Sequence, residues 1–162
     1  MAVAGFYTVE SGKISFRRDG HWYTDDERIE NERIATLFSK SIQRKPDGSY
    51  FLEVGDERAD VTVEDTPYVV KSIENRPDGS LNLILNDDTR ESFDPRLLEV
   101  APDNVMYTRV KDGRFRARFI RSAYNHLASM FEADDAGAFF IRIGATRYLL
   151  KTPEPNPGTD GH

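Results

Sequence analysis

The sequence predicts an α+β fold made of two units on one plan, each a hairpin, a helix and a second hairpin. Three observations lead there. Asp-Gly pairs recur at 19–20, 47–48, 78–79 and 112–113, and both residue types tolerate the positive φ of tight turns. Short runs beside these pairs alternate apolar with polar residues, the period of a half-buried strand, and two longer stretches space their apolar residues as a helix does. Connections short enough only for antiparallel pairing then give antiparallel sheets, each packed on one helix.

In chain order, Ile14-Ser-Phe16 and Trp22-Tyr23 flank Asp19-Gly20 and read as a hairpin over 13–23. Thr24-Asp-Asp-Glu27 has the form of a capping box, and Ile34, Leu37, Phe38 and Ile42 follow at helical spacing, which predicts a helix over 27–43. Lys45-Pro-Asp-Gly-Ser49 opens a hairpin over 50–63, and the strand at 68–73 pairs with 81–85 across Arg76-Pro-Asp-Gly-Ser80. The shared Pro-Asp-Gly-Ser is better explained by turn chemistry than by a sequence repeat. A further hairpin covers 81–93. Phe115, Phe119, Ile120, Ala123, Tyr124, Leu127 and Phe131 form one arc at helical spacing, with Asp112 as N-cap, so a second helix is expected over 113–132 and a last hairpin over 138–150. The expected organisation is an N-terminal half over 12–66, a C-terminal half over 67–152 and a disordered proline-rich tail over 153–162.

Composition narrows the function classes. The chain has no cysteine, which excludes disulfides and thiolate chemistry. Its histidines, His21, His126 and His162, are too scattered for a metal set. No Gly-x-Ser-x-Gly, phosphate-binding Gly-rich loop or Gly-x-Gly-x-x-Gly occurs, so neither catalysis nor a cofactor is indicated. No apolar run approaches a membrane span, and the first ten residues lack the basic start and apolar stretch of a signal peptide, which makes a cytoplasmic protein the expectation.

The charge distribution points to one surface. Residues 1–106 carry a net charge of −9, whereas residues 107–131 carry +5, with Arg109, Lys111, Arg114, Arg116, Arg118 and Arg121 against the single acid Asp112. One such patch is too small for extended nucleic-acid binding. On the expected second helix, Arg114, Arg118 and Arg121 form a stripe opposite the apolar arc, either a solvated face or an anion site. Arg109, Lys111 and Arg114 crowd that helix's N-terminus, where cations are unfavourable and an anion would compensate. Arg116 projects into the apolar arc and needs a carboxylate, and Glu64 or Asp65, at a strand end before Pro67, is the expected source, tying the halves together. Consecutive acids on an extended chain point apart, which disfavours an acid–base pair. Trp22 could stack a base, although core packing is the commoner use of a lone tryptophan.

Several pieces in order and spacing resemble a bacterial family, domain-of-unknown-function family 1285, over most of residues 12–144. They are Asp19-Gly20-x-Trp22, Ile34 through Leu37-Phe38, Asp47-Gly48-x-Tyr50-x-Leu52, Val63-Glu64-Asp65-x-Pro67-Tyr68, the Asn86 segment, Arg109, Ala117-Arg118-x-x-Arg121-x-x-Tyr124, and Phe139-Phe140 through Gly144. The resemblance implies a duplicated α+β core, a C-terminal half superficially like the pleckstrin-homology fold, and a ligand site at the junction of the halves for a nucleotide-like molecule, with a link to signal transduction. This chain departs from the family pattern at Val54-Gly-Asp-Glu-Arg58 and at Asn31. Together these readings describe a binding or sensor module in which Arg109, Arg118 and Arg121 contact an anion, Trp22 or Tyr68 flanks a base, and Arg116, Glu64, Asp65 and Tyr124 lie between the halves. The competing reading is an adaptor that docks a protein partner on the basic face of the second helix.

Overall fold

The computed structural model describes residues 13–150, so the tail expected over 153–162 lies outside the described residues. The described residues are mixed α and β, with two α-helices and sheets of mixed strand orientation. The first sheet contains β1 (Ile14–Phe16), β2 (Trp22–Thr24), β3 (Glu27–Arg28), β4 (Ile42–Arg44), β5 (Tyr50–Val54) and β6 (Glu57–Val63), with helix α1 (Glu32–Ser41) between β3 and β4. The second contains β7 (Tyr68–Asn75), β8 (Leu81–Leu85), β9 (Arg90–Ser92), β10 (Glu99–Val100), β11 (Met106–Val110) and β12 (Phe115–Phe119), with a single 3-10 turn (Pro95–Leu97) between β9 and β10. Helix α2 (Arg121–Ala128) and a three-stranded sheet of β13 (Phe131–Ala133), β14 (Phe139–Ile143) and β15 (Thr146–Leu149) follow.

The two large sheets share one strand order. The first runs β3-β2-β1-β6-β5-β4 and the second β9-β8-β7-β12-β11-β10, so in each a meander of three strands meets a second meander through its first and last strands. Those central pairs are parallel, Ile14 opposite Val61 in one and Val69 opposite Arg118 in the other. The expectation of purely antiparallel sheets is thereby corrected. Short connections do force antiparallel neighbours, but a parallel pair closes between strands far apart in the chain, where no turn signal reports it.

Both expected helices are also corrected. Helix α1 starts at Glu32, not 27, because Asn31 is the cap: its Oδ1 accepts from the backbone N–H groups of Arg33 and Ile34 at 3.0 and 3.2 Å. Thr24 ends β2, and Asp25 and Asp26 take positive φ in the turn to β3. The helix expected over 113–132 is a strand followed by a shorter helix. Phe115, Ala117 and Phe119 are buried while Arg116 and Arg118 alternate outward on β12, the period of a strand. Phe115 and Phe119 are four apart, a spacing that a helix and a strand both place on one face, which is how the arc came to look helical. The fourth Asp-Gly pair is a hairpin turn like the other three, with Lys111, Asp112 and Gly113 all at positive φ. The recurring strand order is therefore six strands long and starts again at β7, and α2 has no counterpart after β6.

One apolar core runs through both sheets. Trp22 is 1 % exposed, its ring 4.8 Å from Phe16 and 5.5 Å from Phe38. Its indole N–H donates to Ser39 Oγ at 2.9 Å, and the same oxygen accepts from Asn86 Nδ2 at 2.8 Å, while Asn86 Oδ1 accepts from Val69 N–H at 3.0 Å. This buried chain joins α1 and β2 to the start of β7 and the β8–β9 turn. The β1–β2 turn adds a close approach: a Cβ on Gly20, at φ +84°, would lie 3.0 Å from Val69 Cγ2 and 3.5 Å from Ile120 Cγ2. Among the described residues no helix is long and apolar enough to cross a membrane.

Ser39→Ala tests the junction. It leaves the buried Trp22 N–H and one Asn86 N–H without acceptors, at a cost of about 1–3 kcal/mol for each unpaired group, so chemical denaturation should register a loss of about 2–6 kcal/mol, well above the change expected at the half-buried Ser41 of the same helix, whose hydroxyl donates only to the Leu37 carbonyl of its own helix.

Candidate functional site

A groove of about 630 Å³ opens where the first unit meets the second. The β1–β2 turn contributes Arg18 and Asp19, the β10–β11 turn contributes Asp103 and Asn104, the end of β12 contributes Arg118, and α2 contributes Arg121, Ser122, Tyr124 and Asn125. The sequence placed Arg118, Arg121 and Tyr124 at such a junction, and all three line it. Local chemistry explains their positions. Arg118 follows Ala117 outward on β12, and Arg121 is the first residue of α2, whose N-cap Ile120 provides no side-chain acceptor.

The linker between the units holds two of the arginines. Glu64 Oε1 accepts from the backbone N–H of Arg18 at 2.8 Å and lies 3.4 Å from its Nε. Asp65 Oδ2 accepts from Arg118 Nη1 at 2.8 Å and from the Tyr107 hydroxyl at 2.9 Å, and Thr66 Oγ1 accepts from the Arg118 backbone N–H at 3.2 Å. The Arg118 and Asp65 side chains are only 21 % and 19 % exposed. Burial alone would lower the pKa of Arg118, but its bond to Asp65 and the charge beside it outweigh burial and hold the guanidinium above its usual value. Burial, followed by the bond to Asp65, raises the Tyr107 phenol. Arg121 is exposed and has no carboxylate within ion-pair distance among the described residues.

The other expected site residues lie elsewhere. Arg116 was to tie the halves through Glu64 or Asp65. It instead lies outward on β12, its guanidinium 4.2 Å from the Tyr107 ring centroid and its Nη2 donating to Glu99 Oε1 at 3.3 Å, while Nε is buried without a hydrogen-bond partner. The acid that was sought does meet an arginine of this strand, but the arginine is Arg118, two residues on and on the same face. Arg109 is exposed on β11 directly opposite Arg116, away from the groove lining. Trp22 sits in the core with its N–H satisfied and has no face open to a base.

Tyr68 belongs to a separate cluster beneath the β11–β12 turn. Its ring centroid is 5.4 Å from Phe115 and 5.3 Å from Lys111 Nζ. Lys111 Nζ donates to Asp87 Oδ2 at 2.6 Å and to Thr89 Oγ1 at 3.0 Å, and its backbone N–H donates to Glu91 Oε2 at 2.9 Å. Burial pushes the Asp87 carboxyl up, but the bonds from Lys111 and Thr89 win and hold it below its ordinary value. Burial and then the charge of Asp87 push the Tyr68 phenol up to about 12. These contacts pin a turn of three left-handed residues, a structural task. Among the described residues no group of three or more His, Asp or Glu could hold a metal ion.

Sequence reasoning missed Arg18, Asp19, Asp103, Ser122 and Asn125 as groove residues. The only local signal was Gly20, since a residue lacking Cβ beside Arg18-Asp19 lets that turn approach Val69 and Ile120.

Residues 8–66 match a family model described as domain of unknown function (DUF1285), N-terminal domain. The fold is similar to the crystal structure of a DUF1285 family protein from Silicibacter pomeroyi DSS-3, with a TM-score of 0.65 and 19 % identity over 85 % of this chain and 79 % of that one. It is also similar to a DUF1285 family protein from Shewanella baltica OS155, with a TM-score of 0.59 and 22 % identity over 76 % of this chain and 95 % of that one. No curated protein matches the chain. These findings bear out the family read from the sequence.

Arg118→Glu should destabilise the chain by about 1–3 kcal/mol, because it replaces a half-buried ion pair with two facing carboxylates; urea melts of Arg118→Glu and Asp65→Asn should both move to lower denaturant. Tyr68 gives a pH test. An unfolded tyrosine ionises near 10 and the folded one at about 12, so within that window the folded chain keeps a proton that the unfolded chain has released. Stability falls as pH rises through the window, and alkaline unfolding curves of Tyr68→Phe should be shallower there than those of the unaltered chain.

Proposed function

We propose that this chain, which carries the N-terminal domain of the DUF1285 family, is a binding or sensor module that holds a small anionic ligand in the groove between its two six-stranded units. The observation that carries this reading is the groove itself, about 630 Å³ and lined by Arg18 from one unit and by Arg118 and Arg121 from the other side. Its volume falls in the range of small-molecule sites. Arg121 stands at the first position of a helix, where backbone N–H groups and the helix dipole already favour negative charge and a cation without a partner is unfavourable. A bound anion would relieve both. The family resemblance adds the expectation of a nucleotide-like ligand and a part in signal transduction. Matching strand order supports duplication of the six-strand unit, and the pleckstrin-homology-like reading applies to β7–β12 with α2 behind them.

The competing adaptor reading needs a different surface, because α2 carries only Arg121 of the basic residues in question. Arg109 and Arg116 face each other across β11 and β12, and Arg118 continues the same outward face. Arg109 makes no ion pair among the described residues, so an acidic partner would find its charge available.

Ligand screening by thermal shift separates the two. A ligand at a hundred times its Kd stabilises a fold by about 2.7 kcal/mol, a melting shift of roughly 5–10 °C at this size. Amino acids, short peptides, other small carboxylates and nucleotides at low salt should include at least one such hit, and Arg121→Glu should abolish it. That variant is expected to melt as the unaltered chain does, since an acid at the first helical position is favourable. If no anion shifts the melt while Arg109→Glu blocks capture of an acidic protein, the adaptor reading replaces this one.

A further inference from the structure

We infer that the ligand of this groove is a small zwitterion, one carboxylate and one ammonium on a molecule of about dipeptide size; this rests on the groove being a ligand site. The lining is not uniformly basic. Arg18 is held by Glu64 and Arg118 by Asp65 at 2.8 Å, which leaves Arg121 as the lining arginine that no described carboxylate neutralises. Two lining acids are left equally uncompensated. Asp19 accepts from the His21 backbone N–H at 2.9 Å and from the Tyr23 hydroxyl at 2.5 Å, and Asp103 accepts from the Val105 backbone N–H at 3.2 Å, but neither has a cationic partner among the described residues.

The groove is therefore dipolar, with a free guanidinium on α2 and free carboxylates on the two turns. A ligand bearing several negative charges would meet those carboxylates as like charges, a cost that sets specificity. A molecule with a negative group at one end and an ammonium at the other satisfies Arg121 and an aspartate at once. Asn104, Asn125 and Ser122 also line the groove and offer the donors and acceptors that a peptide group needs. A volume of about 630 Å³ lies in the range of small-molecule sites and has room for a dipeptide.

Titration calorimetry of the full chain with four probes tests this: L-alanyl-L-alanine, its N-acetyl derivative, its C-terminal amide, and adenosine monophosphate. The free dipeptide should bind, and each blocked form should bind roughly tenfold or more weakly, the loss expected for one charge-assisted bond. The double variant Asp19→Asn with Asp103→Asn keeps the amide oxygens that both turns use as acceptors, so it should fold normally. It should lose the preference for the free amine over the N-acetyl form. Arg121→Gln should lose the preference for the free carboxylate over the amide. If the N-acetyl form binds as well as the dipeptide, or if adenosine monophosphate binds in an Arg121-dependent way and the dipeptide does not, the zwitterion assignment is wrong while the anion site stands. No heat from any probe at about 1 mM overturns both.

Discussion

The Ser39 hydroxyl is the point on which the arrangement of the two units depends. It sits in the core at the C-terminal end of α1 and accepts one hydrogen bond from Trp22 in the first sheet and another from Asn86 in the second. Asn86 in turn accepts from Val69 at the head of β7. A buried donor without an acceptor costs more than a satisfied one contributes, so these four groups accept few relative placements of the sheets. The approach of Gly20 to Val69 and Ile120 follows from that placement. It brings Arg18 and Asp19 to one wall of the groove and leaves α2 on the other.

The linker between the units translates this placement into electrostatics. Glu64 and Asp65 are consecutive and diverge, and each meets an arginine that lines the groove, one from each side. Half of the charge island seen in the sequence is thus spent within the fold. Lys111 is neutralised by Asp87, Arg116 by Glu99 and Arg118 by Asp65. What reaches the groove without a partner is Arg121, and the acids that remain open there come from turns of the acidic part of the chain. A basic stretch in a sequence need not become a basic site when the fold carries its own counter-ions to it.

Hairpins were the most legible part of the chain. All four Asp-Gly turns connect antiparallel strands, and the one read as a helix start misled only because Phe115 and Phe119 satisfy both periods. The run Phe115-Arg-Ala-Arg-Phe119 alternates without interruption, and a two-residue period over five positions outweighs one coincident four-residue spacing. Placing those arginines on a strand also changes which of them share a face, and so moves the link to Asp65 from Arg116 to Arg118. For the groove, Arg118, Arg121 and Tyr124 were found from charge and family resemblance, whereas Asp19 and Asp103 looked like ordinary turn residues.

The turns, three of the four Asp-Gly hairpins, the concentration of cations between 107 and 131 and the family resemblance are legible in the amino-acid order, because each is a property of neighbouring residues or of their spacing. The parallel closures of Ile14 on Val61 and of Val69 on Arg118, the partner of each arginine, and the dipolar lining of the groove arise from the folded chain alone. Those depend on contacts between residues distant in the chain, where burial and the matching of donors to acceptors, rather than local backbone preference, select one pairing among many.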